Sequence, residues 1–236
     1  MPKRRTRVFR GVDASPGICV GPVHLPDRRR FHIPKIHIDV EQVAKEVERF
    51  RQAVDGSIAQ LDALRKKLSH RKGKEPRAII EAHLLMMKDE VLIDGTEKII
   101  RSEAVNAEWA LQKNVARVRE VFDSLEDDYF RERRSDVEFV GQRIMLNLMG
   151  RKTSVDLPVD QRVVVVAHDL SPADTAGLDR KRVAGFVTEV GGKAAHTAII
   201  ARSMEIPAVV AAEGILKRVG SGDRVIVDGY RGEVML

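Results

Sequence analysis

Between Val187 and Ser203 the chain reads VTEVGGKAAHTAIIARS: a strand-like run, two glycines, then a histidine where a helical pattern begins. Each residue type has a chemical use there. Gly191 and Gly192 allow the backbone to approach a ligand closely. A helix N-terminus presents unpaired N–H groups and the positive end of the peptide dipoles, so an anion beside His196 can be held by main chain. A neutral imidazole has one nitrogen free to attack, provided the other donates its proton to a neighbour. If the ring itself took a phosphoryl group, the helix end would stabilise the added charge, and Lys193 would contribute a point charge. Glycine turns of this kind also make ordinary strand-to-helix connections, so the residues alone leave His196 readable as a plain helix-start residue.

The elements that position this segment separate by periodicity. After Pro158, Val163–Ala167 is a β-branched run expected as a buried strand, and Ser171-Pro172-Ala173-Asp174 is a helix start. Val183–Glu189 is the strand ahead of the glycines. Pro207–Ala212, Arg224–Asp228 and Glu233–Leu236 follow as short strands. Alternating strands and helices predict an α/β layer structure, and the short β segments of residues 8–36 are expected to join its sheet.

From Asp39 the period becomes helical. Val40, Val43, Val47, Phe50, Val54, Ile58, Leu61, Leu64 and Leu68 form one stripe, predicting a helix of about thirty residues and about 45 Å that needs partner helices. Asp39 and Gln42 resemble a capping box. A second helix is expected from Pro76 through Val91, a third over Trp109–Leu125, and a fourth over Val137–Leu148, closed by Gly150. Residues 37–152 therefore read as antiparallel helical hairpins forming a bundle, inserted in an α/β domain of residues 1–36 and 153–236. Segments 35–38 and 151–158 are the expected hinges between the two.

Composition bounds the remaining possibilities. The chain has 236 residues, 43% apolar and 32% charged, ordinary values for a globular protein of two domains. Its net charge of +6 is local: residues 1–10 carry +5 and residues 65–77 carry +6, leaving −5 elsewhere. With ten aromatic residues and no recognition motif, nucleic-acid binding is not expected. Neither a membrane span nor a secretory signal is evident. Cys19, the single cysteine, excludes an internal disulfide and a multi-cysteine zinc site, fits a reducing cytoplasm, and reads as packing. His168 has no second ligand at fixed spacing, and no P-loop or G-x-G-x-x-G is present.

Against this background GGKAAHTAIIARSMEIPAVV, residues 191–210, resembles the phosphohistidine signature of the phosphoenolpyruvate-utilising enzymes. DASPGICVGP at 13–22 is similar to the opening signature of one branch, the Enzyme I family of the bacterial sugar phosphotransferase system. Further similarity runs through IIEAHLLMMKDEVL at 79–92, LEDDYFRERRSDV at 125–137 and HDLSPADTAGL at 168–178.

The resemblance covers nearly the whole chain and implies its N-terminal half: a swivelling phosphohistidine α/β domain carrying an inserted helical bundle. It implies that His196 takes a phosphoryl group on Nε2 and passes it to a histidine of the small carrier HPr. Thr175 corresponds to a threonine whose hydroxyl pairs with the other ring nitrogen, although helical threonines also bond back to a preceding carbonyl. Gly191, Gly192, Lys193 and Arg133 correspond to phosphate-holding positions, and Glu75, Ile79, Glu81, His83 and Asp89 to the HPr-docking segment.

Phosphoenolpyruvate, Mg²⁺ and homodimerisation belong in that family to a C-terminal domain, so no cofactor and a monomeric state are expected for these residues alone. Two departures stand out. Lys74 and Arg77 replace an acidic cluster, weakening the electrostatic match to a basic carrier, and Ala194 and Ala195 replace hydroxyl residues before the histidine. The alternatives are the nitrogen-related paralogue, which normally has a sensory domain ahead of residues like MPKRRTRVFRG, and a non-catalytic docking module.

Overall fold

The computed structural model describes residues 7–26, 32–68, 75–123, 128–151, 157, 160–193 and 195–236, with the side chains of 75 and 128–134 outside that description. It divides into two compact units, one of Met1–Arg28, Leu68–Ile79 and Ser154–Leu236, the other of Arg29–Lys67 and Ile80–Thr153.

The first unit is built on a sheet that draws strands from both ends of the chain. β1 (Val8–Arg10), β2 (Val12–Ser15) and β3 (Ile18–His24) precede the helices, and β4 (Val163–Ala167), β5 (Val183–Thr188), β6 (Ala208–Val210), β7 (Arg224–Asp228) and β8 (Glu233–Met235) follow them. The order is β1-β8-β7-β3-β4-β5-β6-β2. Neighbours from β3 to β6 are parallel and the outer pairs antiparallel. β1 and β2 thus stand at opposite ends of the order although only Gly11 separates them in sequence.

The sheet therefore curls until both edges meet at one bent segment. Gly11 is required at the bend: a Cβ there would lie 2.3 Å from the Val210 carbonyl oxygen. Closure leaves no long unpaired edge. All five residues of β4 are buried, as its apolar run requires. Inside the curl, Cys19 on β3 faces Gly185 on β5, where an added Cβ would meet Sγ at 2.5 Å. Burial pushes the Cys19 thiol up to about 11, which makes it an inert packing group. Two short helices, α6 (Pro172–Gly177) and α7 (His196–Ser203), pack against each other, and α7 also packs on β2.

The helical unit contains α1 (Val43–Leu68) through Lys67, α2 (Glu75–Met86) from Ile80 on, α3 (Glu90–Glu103), α4 (Ala107–Asp123) and α5 (Asp128–Leu148). Phe50, Leu61, Ile80, Ile100, Leu111 and Ile144 fill its core. Four helices are expected from the stripes, and five are present among the described residues. Apolar spacing continues through Met87, but the chain turns there and Asp89 starts a new helix by accepting from Val91 N at 2.8 Å.

α3 and α4 approach closely at Gly95, where a Cβ would sit 2.9 Å from Asn114 Nδ2. The buried Asn114 amide donates to the Val91 and Leu92 carbonyls at 2.9 and 3.0 Å. Gly141 does the same for α4 and α5, since a Cβ there would lie 2.6 Å from a Val115 methyl. Gly150, at φ 62°, closes α5 as expected.

Polar contacts lock the helix ends. Arg49 Nη2 reaches Glu46 at 2.7 Å and Glu108 at 2.8 Å, and Nη1 reaches the Leu148 carbonyl at 3.1 Å. Burial is the largest influence on the Glu46 and Glu108 carboxyls and raises both, but the Arg49 hydrogen bonds and charge together with backbone hydrogen bonds outweigh it and hold both below their ordinary value. Residues 36–38, expected as a hinge, are instead stitched to the α3–α4 corner. Ile38 N donates to Ala104 O at 2.9 Å and Asn106 N to Ile36 O at 3.0 Å, with a bridge between His37 and Val105. Backbone groups committed this way do not supply a pivot. Most of the other expected hinge, 151–158, lies outside the described residues.

Candidate active site

β5 delivers the chain to the glycine turn. Thr188, buried at its end, donates from Oγ1 to Val190 O at 2.7 Å, and Glu189 N and Val190 N bond to the Ala167 and His168 carbonyls. Gly191 then takes φ 115°, a conformation only glycine adopts without strain. Gly192 has no neighbour within 4 Å of a would-be Cβ, so it keeps open space above the turn.

α7 begins at His196, a half-buried residue. Ala195 is its N-cap, in extended geometry (φ −61°, ψ 147°) and without a side-chain cap. The first turn of α7 thus lacks the side-chain acceptor that a Ser or Asp would provide. α6 starts in the opposite way. Ser171 accepts from Asp174 N, and the Asp174 carboxylate accepts from Ser171 N and Oγ, a complete capping box.

Thr175, fully buried on α6, donates its hydroxyl proton to Ser171 O at 2.9 Å. Its oxygen lone pairs are therefore what it presents to any second partner. Thr197 Oγ1, next to the histidine, donates to Leu170 O at 3.3 Å, tying the first turn of α7 to the residue ahead of α6.

Lys193 does not stand alone. Its ammonium is 2.9 Å from Asp13 Oδ2, and that hydrogen bond holds the Asp13 carboxyl below its ordinary value. From the far end of α7, Arg202 Nη2 donates to the Lys193 carbonyl at 3.0 Å and Nη1 to Ala14 O at 2.9 Å. Asp13 and Arg202 received no role from sequence. The available signal was their charge, set among small and apolar residues in the two signature segments.

Of the predicted site residues, Thr175, Gly191, Gly192, Lys193 and His196 belong to α6, α7 and the loop between β5 and α7, in the first unit. Ala194 and Lys74 lie outside the described residues, as do the side chains of Glu75 and Arg133. Ile79 and Glu81 are half-buried on α2, and Asp89 is exposed at the head of α3.

His83 requires correction as a surface docking residue. It is 2% exposed, with Nε2 3.1 Å from Asp136 Oδ1 and its ring 6.5 Å from that of Phe139, so its imidazole supports the helical core. Sequence reasoning did not single out Leu85, which is 72% exposed, and it placed Val91 on the apolar stripe of the second helix, whereas Val91 is 63% exposed.

His168 Nδ1 lies 3.1 Å from Glu189 Oε2, and the other Glu189 oxygen accepts from Leu216 N. Among the described residues no three His, Cys, Asp or Glu side chains form a metal site. Among them, too, no helix is long and apolar enough to cross a membrane.

Comparison with known proteins agrees with this architecture. Residues 10–133 match the family description PEP-utilising enzyme, N-terminal, and residues 159–232 match PEP-utilising enzyme, mobile domain. The chain is 38% identical over 228 residues to the phosphoenolpyruvate-protein phosphotransferase of Listeria innocua serovar 6a, covering 97% of this chain and 40% of that protein. It is 37% identical over 234 residues to that of Priestia megaterium, covering 98% and 40%. The chain thus spans about 40% of the length of these curated relatives.

Among solved structures, the solution structure of an Enzyme I is 41% identical, with a TM-score of 0.74 over 96% of this chain and 91% of the other. The N-terminal domain of Enzyme 1 - Nitrogen is 26% identical, with a TM-score of 0.65 over 96% and 92%.

Proposed function

The chain belongs to the PEP-utilising enzymes, and on that premise we propose that it is the phosphohistidine-bearing half of a phosphoenolpyruvate-protein phosphotransferase. The reading is carried by His196, which opens α7 behind a glycine turn at a helix start left without a side-chain cap. Residues 1–36 and 153–236 form the domain that carries the histidine, and 37–152 the one that receives the carrier. The 41% identity to an Enzyme I structure, against 26% to the nitrogen-related one, favours the sugar-type system.

Nε2 of His196 attacks the phosphorus of phosphoenolpyruvate, the bond to the enol oxygen breaks, and enolpyruvate leaves. A histidine nitrogen of HPr then attacks the same phosphorus, the P–N bond to His196 breaks, and the imidazole is regenerated. Nucleophilic Nε2 requires the proton on Nδ1. Thr175 has committed its own proton to Ser171 O, so in this reading its pairing with the ring is as an acceptor only, which selects the Nδ1–H tautomer. The back-bond of Thr175 and its pairing with His196 are then complementary, not competing. The phosphoryl oxygens lie against the first turn of α7, with the Lys193 ammonium close by and Arg133 of α5 contributing in the complex.

HPr docks through Ile79, Glu81 and Asp89, with Glu75 beside them. The exposed Leu85 and Val91 supply apolar contact area that charge alone does not. Phosphoenolpyruvate, its Mg²⁺ and the dimer contacts belong to the remaining length of the longer relatives, and the working compartment is the cytoplasm.

The test is intact mass of the chain after incubation with phosphoenolpyruvate, HPr and a trace of a complete Enzyme I. The expected result is one acid-labile phosphate on wild type and none on His196→Ala. An unmodified wild type beside phosphorylated HPr would sink the reading and leave a docking module. Rapid labelling by phosphoenolpyruvate and Mg²⁺ alone would overturn the assignment of that chemistry to residues beyond this chain.

A further inference from the structure

The loop between β5 and α7 has few anchors of its own. Gly191 takes φ 115°, and the described backbone bond within the turn is Ala195 N to Gly192 O at 3.0 Å. What holds it comes from elsewhere in the chain. Arg202 lies six residues beyond His196 on α7, and helical side chains lean toward the N-terminus of their helix. Its guanidinium therefore reaches back along α7 and donates Nη2 to the Lys193 carbonyl at 3.0 Å. Its other arm, Nη1, donates to Ala14 O at 2.9 Å.

Ala14 belongs to β2, which is registered on β6 through the pairs Val12–Val210, Asp13–Val209 and Ser15–Ala208. One residue thus joins the loop ahead of the histidine to a strand fixed in the sheet. The second tie, Lys193 to Asp13 at 2.9 Å, runs from the same loop residue to the same strand. Its side chains are 66% and 48% exposed, so water screens it and its value to overall stability is small.

We propose that Arg202 is a positioning residue for phosphotransfer at His196. It touches none of the reacting atoms. Its two-armed guanidinium sets the Lys193 carbonyl against β2, which fixes the path of the backbone into the first turn of α7. That path determines where the amides, the Lys193 ammonium and the imidazole sit relative to a phosphoryl group. A lysine cannot replace it, because a single ammonium lacks the planar fork that spans two carbonyls. The inference rests on the reading of His196 as the phosphoryl carrier.

The experiment follows transfer from phosphorylated HPr to the 236-residue chain, as a function of HPr concentration, in wild type, Arg202→Met and Arg202→Lys. A displacement of the loop by about 1 Å lowers the maximal rate by about 10- to 100-fold in both variants. The HPr concentration for half-maximal rate stays within about twofold, because docking residues are untouched. Amide exchange in residues 191–195 accelerates in both, while the amides of β4 and β5 exchange as in wild type.

Wild-type rates in Arg202→Met, or full rescue by Arg202→Lys, would overturn the proposal. So would loss of protection throughout the sheet of Arg202→Lys, which would make Arg202 a general stabiliser. Failure of the wild-type chain to accept phosphate would count against the phosphohistidine reading itself, a different outcome from a silent Arg202 substitution.

Discussion

Ser171 and Ala195 occupy the same position, the N-cap, of two helices that pack against each other, and only Ser171 carries a capping side chain. The contrast is local and chemical. α6 satisfies its first turn internally through Ser171 and Asp174, whereas Ala195 offers the first turn of α7 no side-chain acceptor. A side-chain cap and an anion compete for the same amides, so under the proposed function the missing cap at Ala195 gives up helix stability in favour of phosphoryl binding.

Ala195→Ser restores the missing acceptor in backbone geometry already suited to a cap, and stability rises by about 1 kcal/mol. Ala195→Asp stabilises as well, through the dipole, but its carboxylate occupies and repels the phosphoryl position. The expected pair of results is a raised thermal midpoint in both variants and slowed labelling of His196 in Ala195→Asp. Unchanged labelling in Ala195→Asp would mean that the α7 terminus does not hold the phosphoryl group.

Gly191 and Gly192 differ in what they tolerate. Gly191→Ala forces a side chain into φ 115° with its Cβ 3.3 Å from that of Ala195. Strain of about 1–3 kcal/mol is expected there, seen as a lower denaturation midpoint and slower labelling. Gly192→Ala meets no atom within 4 Å, and its stability should stay near that of wild type. Equal losses in the two variants would contradict the geometry of the turn.

His83→Leu removes one partner of Asp136, at 3.1 Å in the helical core. Destabilisation of about 1–3 kcal/mol follows for a buried hydrogen bond broken on one side. Below the unfolding transition, titration with HPr should give unchanged affinity, whereas Leu85→Asp weakens binding without unfolding the bundle. Lost affinity in a fully folded His83→Leu would return this residue to the docking surface.

Acid weakens the helical unit through Glu46 and Glu108. Both carboxyls titrate below their ordinary value in the folded state, after burial and Arg49 have opposed each other. Their contribution is present above the unfolded value near 4.5 and is lost as pH falls through the lower folded values. Glu46→Gln should therefore be less stable at pH 7 and show a shallower loss of stability between about pH 5 and 3. An acid transition as steep as that of wild type would remove Glu46 from this role.

Much of the site is legible because it is contiguous. The glycine turn, His196 and the start of α7 lie within six residues, and the Ser171–Asp174 cap within four, so residue type and spacing alone describe them. Val163–Ala167 reads as buried for the same reason, and the alternation of strands and helices around it gives the fold class. The bundle is legible in outline, but its count of helices is not. Met87 continues the apolar stripe through a break that Asp89 caps, and periodicity cannot see a change of direction that preserves spacing.

Contacts between distant segments were decided only in three dimensions. Asp13 and Lys193 are 180 residues apart, Ala14 and Arg202 are 188 apart, and His83 and Asp136 are 53 apart. Local propensity and amphipathic spacing act within a few residues, so a sequence states them directly. A charged side chain has many partners within reach of its type, and only the packed backbone selects one. The bend at Gly11, which brings both edges of the sheet together, is what carries Asp13 and Ala14 to the loop ahead of His196.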